Sequence, residues 1–319
     1  MVCSQYNDTL PPECDDPHHH QMAAQETALK MVGRLQGTSS SSSSQPVCDE
    51  YLEDIIRHMR HMENVTLPDM SLIDTQPEIQ WYMRPYLVDF LIEAHAELGL
   101  LPETLFRTMN LVDRYCSKRV VYKKHYQLLG CAALLLATKY AEKRARIPSS
   151  IELHDFCCGL YAHGMFAQME THVLESLDWT LGNPTADFFL QLAVVSEGDD
   201  EEVAALALYL CEIALYHRDF VSTKPSIMAQ SALTHARSIL GRIAVDSECW
   251  GQTGSVDTIS LWHHLHKPSP TVAHKYSTAR FSEVSGKLAL FIARPSAVSH
   301  ATAEITMSDG ISSGKILTD

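Results

Sequence analysis

The chain is short of positive charge. Of its 319 residues, 25 are Lys or Arg against 39 Asp or Glu, a formal net charge of −14. A non-specific nucleic-acid binder or a protein lying on anionic membrane needs basic surface, so both classes are disfavoured. Long apolar runs are missing too. The longest near-apolar stretch, "LLGCAALLLA" at 128–137, is about half of the ~20 residues that a bilayer span requires. The opening "MVCSQYNDTLPPECDD" has no basic-then-apolar leader pattern. Nine cysteines include no C-x-x-C pair. Cys116, Cys131 and Cys211 fall within apolar helical patterns and read as small buried hydrophobes in a reducing compartment. There is no G-x-G-x-x-G and no G-x-x-x-x-G-K-[ST], and the single G-x-S-x-G match, "GISSG" at 310–314, falls in the Ser- and Thr-rich tail without a strand before it, so neither a phosphate cradle nor a nucleophile elbow is expected. The histidine clusters "PHHHQ" and "WHHLHK" lack Cys or carboxylate partners at ligand spacing. The expectation is an intracellular protein with no catalytic group, metal or cofactor.

What the chain does have is helical periodicity. Residues 1–47 are polar, with a serine run, and cannot bury enough apolar surface to offset ordering entropy; disorder is expected there. From "DEYLEDIIRHMRHME" onward, apolar residues recur at steps of three and four, first Tyr51, Ile55, Met59 and Met62. In "PETLFRTMNLVDRYCSK", Leu105, Met109, Val112 and Cys116 share one face. "YQLLGCAALLLATKYAEK" is apolar almost all round and reads as a central helix. "SSIE" at 149–152 is a capping box. No strand pattern stands out, so the fold class is all-α.

In "MRPYLVDFLIEAH", residues 83–95, Met83, Leu87, Phe90, Leu91 and Ala94 form one apolar face. Pro85 suits a first helical turn, which sets the helix start at Tyr82 to Arg84. Arg84 then lies where the helix dipole disfavours a cation, and it calls for a carboxylate. Spacing alone leaves neighbouring Asp89 or Glu93 as good as any distant partner. Aligned against itself, the chain matches Gly130, Ala132, Ala133, Leu134 and Ala137 with Ala229, Ser231, Ala232, Leu233 and Ala236, at an offset of 99 residues. Small residues at helical spacing let helices approach closely, so two consecutive bundles of about five helices are predicted. Beyond about residue 243 periodicity weakens. "WHHLHKPSPT" reads as a loop containing the Ser269-Pro270 dipeptide of a proline-directed phosphorylation site. "EVSGKLALFIAR" reads as a last helix before a flexible tail, 296–319.

Taken in order, "MRPYLVDFLIEAH", "LVDRYCSKRVV", "YQLLGCAALLLATKYAEK" and "MFAQMETHVLESLDWTLGNPTADFFLQL" resemble the cyclin box of the cyclin family, with the flavour of fungal G1/S-type members. The resemblance implies tandem cyclin folds: residues 48–182 as the first box with a preceding helix, 183–295 as a divergent second fold. It implies an ion pair between Arg84 and Asp113. It also implies a kinase contact through Lys139 and Glu170, surrounded by Leu136, Ala137, Tyr140, Leu174, Trp179 and Leu181. Ser238 stands in the second repeat where Lys139 stands in the first, so the first repeat would hold the kinase. A substrate-docking patch is implied at Met83, Tyr86, Leu87, Phe90, Glu93 and Gln127. There Phe90 replaces the family's usual tryptophan and Tyr86 an aliphatic residue. The implied function is a non-enzymatic regulatory subunit of a cyclin-dependent kinase, acting at G1/S in nucleus and cytoplasm. It would receive substrates or inhibitors through short motifs, without direct nucleic-acid or membrane contact. The alternative is a cyclin-fold transcription-associated factor, whose basic DNA-facing surface the acidic balance does not supply.

Overall fold

The computed structural model describes residues 45–242, 261, 264 and 267–293. Residues 1–44 of the polar N-terminal segment and the whole tail 296–319 lie outside them. Helix α1, Gln45–Val65, begins three residues ahead of the expected boundary at 48. After a single turn at Met70–Ile73 comes a 3-10 turn at Trp81–Met83. Pro85 then occupies the first turn of α2, Arg84–Glu97.

The first bundle continues with α3 (Pro102–Lys118), α4 (Tyr126–Ala141), α5 (Ser150–Phe156) and α6 (His163–Ser176). Ser149 and Glu152 close the capping box at the head of α5. Helix α4 is central, packed by α2, α3 and α6, and Leu128 through Thr138 are all buried. Gly130 lets α2 cross closely: a Cβ there would lie 2.7 Å from Leu87 Cδ1 and force that side chain to shift. The second bundle is built from α7 (Ala186–Glu197), α8 (Glu201–Ala214), α9 (Pro225–Ile239), α10 (Pro270–Lys275) and α11 (Val284–Ile292). Helix α9 is the counterpart of α4, packed on α7 and α8. Ala229, Ser231, Ala232, Leu233 and Ala236 are all buried there, as the 99-residue offset predicts. No strand occurs among the described residues.

The bundles share one apolar core, which runs from Met59 to Leu288 and is bridged where α3 packs on α7. A smaller cluster under α5 joins Leu128, Cys131, Leu135, Leu153, Cys157, Tyr161 and Phe166. The helix preceding the first bundle is fastened to the second. Helix α1 packs on α9, and buried Glu63 accepts the Ser226 N–H at 3.1 Å and its hydroxyl at 2.9 Å.

The predicted loop "WHHLHKPSPT" is corrected in two places. His264 is helical, with its ring stacked 3.9 Å from that of His217. Pro270 already opens α10, capped by Ser269, whose hydroxyl donates to Asp89 at 2.6 Å. The half-buried ring stack and the cap supply order that local periodicity does not encode. The acidic stretch "SEGDDEE" is likewise tied down. Glu197 and Asp199 both bind the buried Arg237, and Asp200 caps α8.

Candidate functional site

Arg84 and Asp113 are almost fully buried and paired through two parallel bonds, Nη1 to Oδ1 at 2.5 Å and Nη2 to Oδ2 at 2.8 Å. The structure thus chooses the distant partner over the neighbours. Asp89 instead accepts from the Tyr216 and Ser269 hydroxyls. Burial pulls the Arg84 guanidinium down, but the Asp113 charge and hydrogen bonds more than offset it, and the net shift is upward. The Nε–H reaches the Leu215 carbonyl at 2.6 Å. One side chain therefore joins α2, α3 and the end of α8.

On the outer side of the first bundle, Lys139 Nζ lies 2.5 Å from Glu170 Oε1, bridging the C-terminal turn of α4 to α6. The lysine side chain is 47% exposed and the glutamate 14%, so the pair is presented at the surface with its carboxylate largely covered. Tyr140 is half-buried and stacks on the buried Arg107, 4.4 Å from guanidinium carbon to ring centre. Leu174 and Leu181 are half-buried. Trp179 is exposed, held at a left-handed φ of 58° by its N–H bond to the Leu174 carbonyl. Leu136 and Ala137 do not belong to this surface. They are buried in the core, because α4 is enclosed on every side from Leu128 to Thr138.

The expected docking residues divide the same way. Tyr86 and Glu93 are exposed, while Met83, Phe90 and Gln127 are half-buried. Leu87 is corrected: it is buried against Gly130 and serves the α2–α4 contact instead.

Several structural polar groups escaped the sequence reading because their partners are far apart in the chain. Asp74 accepts from Trp81 Nε1 and from Arg218, which together hold its carboxyl down at about 2. Buried Glu212 accepts from Lys275 and from the Tyr276 hydroxyl. Asp187, also buried, is pushed up to about 7 by desolvation. Among the described residues no group of three or more His, Cys, Asp or Glu is placed to hold a metal ion, and no helix is long and apolar enough to cross a membrane.

The chain thus folds as two α-bundles in tandem, with small-residue central helices and an inter-helix Arg–Asp clamp. Residues 54–182 match the family described as "Cyclin, N-terminal domain", and residues 184–289 match "Cyclin, C-terminal domain". Among curated relatives, the G1/S-specific cyclin CCN1 of Candida albicans is 44% identical over 211 residues, covering 60% of this chain and 30% of that protein. The G1/S-specific cyclin CLN3 of the same organism is 39% identical over 189 residues, covering 58% of this chain and 40% of its own length. The match therefore spans well under half of these relatives. A solved viral cyclin from herpesvirus saimiri shares the fold with a TM-score of 0.54 at 16% identity, over 74% of this chain and 97% of that one. Both halves of the tandem architecture and the relatives agree: the chain belongs to the cyclin family.

Proposed function

We propose that this chain is the regulatory subunit of a cyclin-dependent protein kinase, acting at the G1/S transition. The observation that carries the reading is the Lys139–Glu170 pair, opposite charges held together on the accessible end of the central helix beside half-buried Tyr140. Charges so placed can engage carbonyls and N–H groups of one partner segment and fix its register. The chain contributes no catalytic group under this reading. Its binding energy favours the kinase conformation in which the metal-binding and Lys–Glu residues are assembled for phosphoryl transfer. Substrates or inhibitors with short motifs would dock at the α2 patch around Tyr86, Phe90 and Gln127. A place of action in nucleus and cytoplasm belongs to the same proposal. The G1/S names of the Candida albicans relatives support the stage of the cycle.

The test is co-purification from cells followed by a kinase assay. Recovery of a cyclin-dependent kinase whose activity depends on the chain supports the reading. A chain that recovers no such kinase, or does not raise its activity, overturns it.

A further inference from the structure

Cys131, midway along α4, and Cys157, which closes α5, place their sulfurs 3.3 Å apart in thiol–thiol contact. They meet inside the small cluster with Leu128, Leu135, Leu153 and Phe166. Bonded sulfurs sit ~2.05 Å apart, so about 1.3 Å of approach separates this contact from a covalent link. The segment that would move is a helix end. Cys157 is the C-cap of the seven-residue α5, and Cys158 and Gly159 follow at left-handed φ values of 50° and 74°. A short helix ending in two left-handed residues opens at low cost compared with the core. Cys131 and Cys157 are themselves buried, and the neighbouring Cys158 is exposed, so opening of this turn is what admits solvent to the pair.

We propose that Cys131 and Cys157 form an oxidisable dithiol, converted by a peroxide into a disulfide that ties the central helix to α5. Either thiol can donate in this contact. Cys157 lies at the end of α5 beside the exposed Cys158, whereas Cys131 lies within the central helix, so the attack on peroxide is assigned to Cys157. Its thiolate attacks one peroxide oxygen, the O–O bond breaks, and the departing hydroxide takes up a proton as water. The resulting sulfenic acid is attacked by the Cys131 sulfur, the S–S bond forms, and a second hydroxide leaves, protonated to water. Two thiols and one peroxide give one disulfide and two waters. Closing the stretch from 131 to 157 restrains the unfolded chain, so the oxidised protein should be the more stable one.

The full chain is treated with graded hydrogen peroxide, its free thiols are blocked, and it is mapped by mass spectrometry without reduction. The expected product is a monomer in which the peptide bearing Cys131 is joined to the peptide bearing Cys157. Its melting temperature should rise by about 5 °C or more, with reversal by dithiothreitol. Because Cys158 shares that peptide, Cys158→Ser decides the assignment: the link must persist. Cys157→Ser must remove it, and far-UV circular dichroism checks that this variant folds. A Cys157–Cys158 link, a link between chains, or oxidation of Cys158 with Cys131 and Cys157 still free thiols would each overturn the proposal. The wild-type map reads these outcomes even if a variant misfolds.

Discussion

Arg84 donates its Nε–H to the backbone carbonyl of Leu215, 131 residues further along the chain and 2.6 Å away. Two more of its N–H groups are spent on Asp113, so a single guanidinium at the head of α2 serves the first bundle and the end of α8 in the second. That resolves the awkward placement of a cation at a helix N-terminus. Two carboxylate oxygens and a carbonyl outweigh the unfavourable dipole, which is a fraction of a kcal/mol to about 1 kcal/mol.

Asp113→Ala strands this buried charge with one carbonyl for company. The expected loss is about 3 to 5 kcal/mol, a large share of the 5 to 15 kcal/mol typical of a domain. Because the same arginine holds both bundles, urea unfolding of the variant should lose cooperativity as well as midpoint. A loss below about 1 kcal/mol would show that the clamp is dispensable. The exposed Arg57–Glu53 pair on α1 is the control; its removal should change stability by under about 1 kcal/mol.

Lys139→Ala and Glu170→Ala separate binding from folding. With the lysine about half exposed, the pair contributes only ~0.2 to 1 kcal/mol to the free protein. Against a kinase the same groups become desolvated, and losing one should cost about 2 to 5 kcal/mol of affinity, roughly thirtyfold or more. Melting temperature and kinase co-precipitation on the same variants check this. Intact binding in both variants would remove the site assignment.

The docking patch is best probed away from the core. Leu87 packs on Gly130, so its removal would report on folding. Tyr86→Ala with Gln127→Ala touches one exposed and one half-buried residue. Phosphorylation of motif-bearing substrates should fall while activity on a generic peptide persists. Equal loss on both would place the patch in kinase binding or structure.

What the sequence made legible was local. The start of α2 at Arg84-Pro85, the Ser149–Glu152 box and the small residues of α4 and α9 each depend on spacings within one helix. Pairings between segments distant in the chain were not legible. Nothing near Glu63 announces Ser226, and nothing near Arg237 announces the acidic turn at Glu197 and Asp199. Such partners are fixed by topology, which one sequence without relatives does not reveal. The Arg84–Asp113 pair became assignable only through the family resemblance, since Asp89 and Glu93 were equally good by spacing. The same limit explains Leu136, Ala137 and Leu87. A helix apolar all round does not say which of its residues end at the surface.

Asp187 gives the stability a pH dependence of unusual sign. Buried among Gln191, Glu103, Glu212 and Lys275, its carboxyl is pushed up to about 7 by desolvation. In the unfolded chain the group titrates near 4. Below that value both states are protonated and its contribution is fully present. As pH rises from about 4 to 7 the unfolded chain releases the proton while the folded protein keeps it, so stability falls. Above about 7 the native state must carry a buried carboxylate. His217, held down at about 4 chiefly by burial, works the other way, losing its contribution as pH falls from about 6.5 to 4. A direct pH scan of the wild type therefore mixes the two. Comparison with Asp187→Asn isolates the carboxyl: the amide keeps an acceptor for the Gln191 side chain and does not titrate. The variant should match the wild type near pH 4 and gain on it steadily toward pH 8, by at most about 4 kcal/mol at 1.36 kcal/mol per pKa unit. Denaturant midpoints at four or five pH values check this. A difference that stays flat across the range would show that Asp187 is ionised in the folded protein throughout.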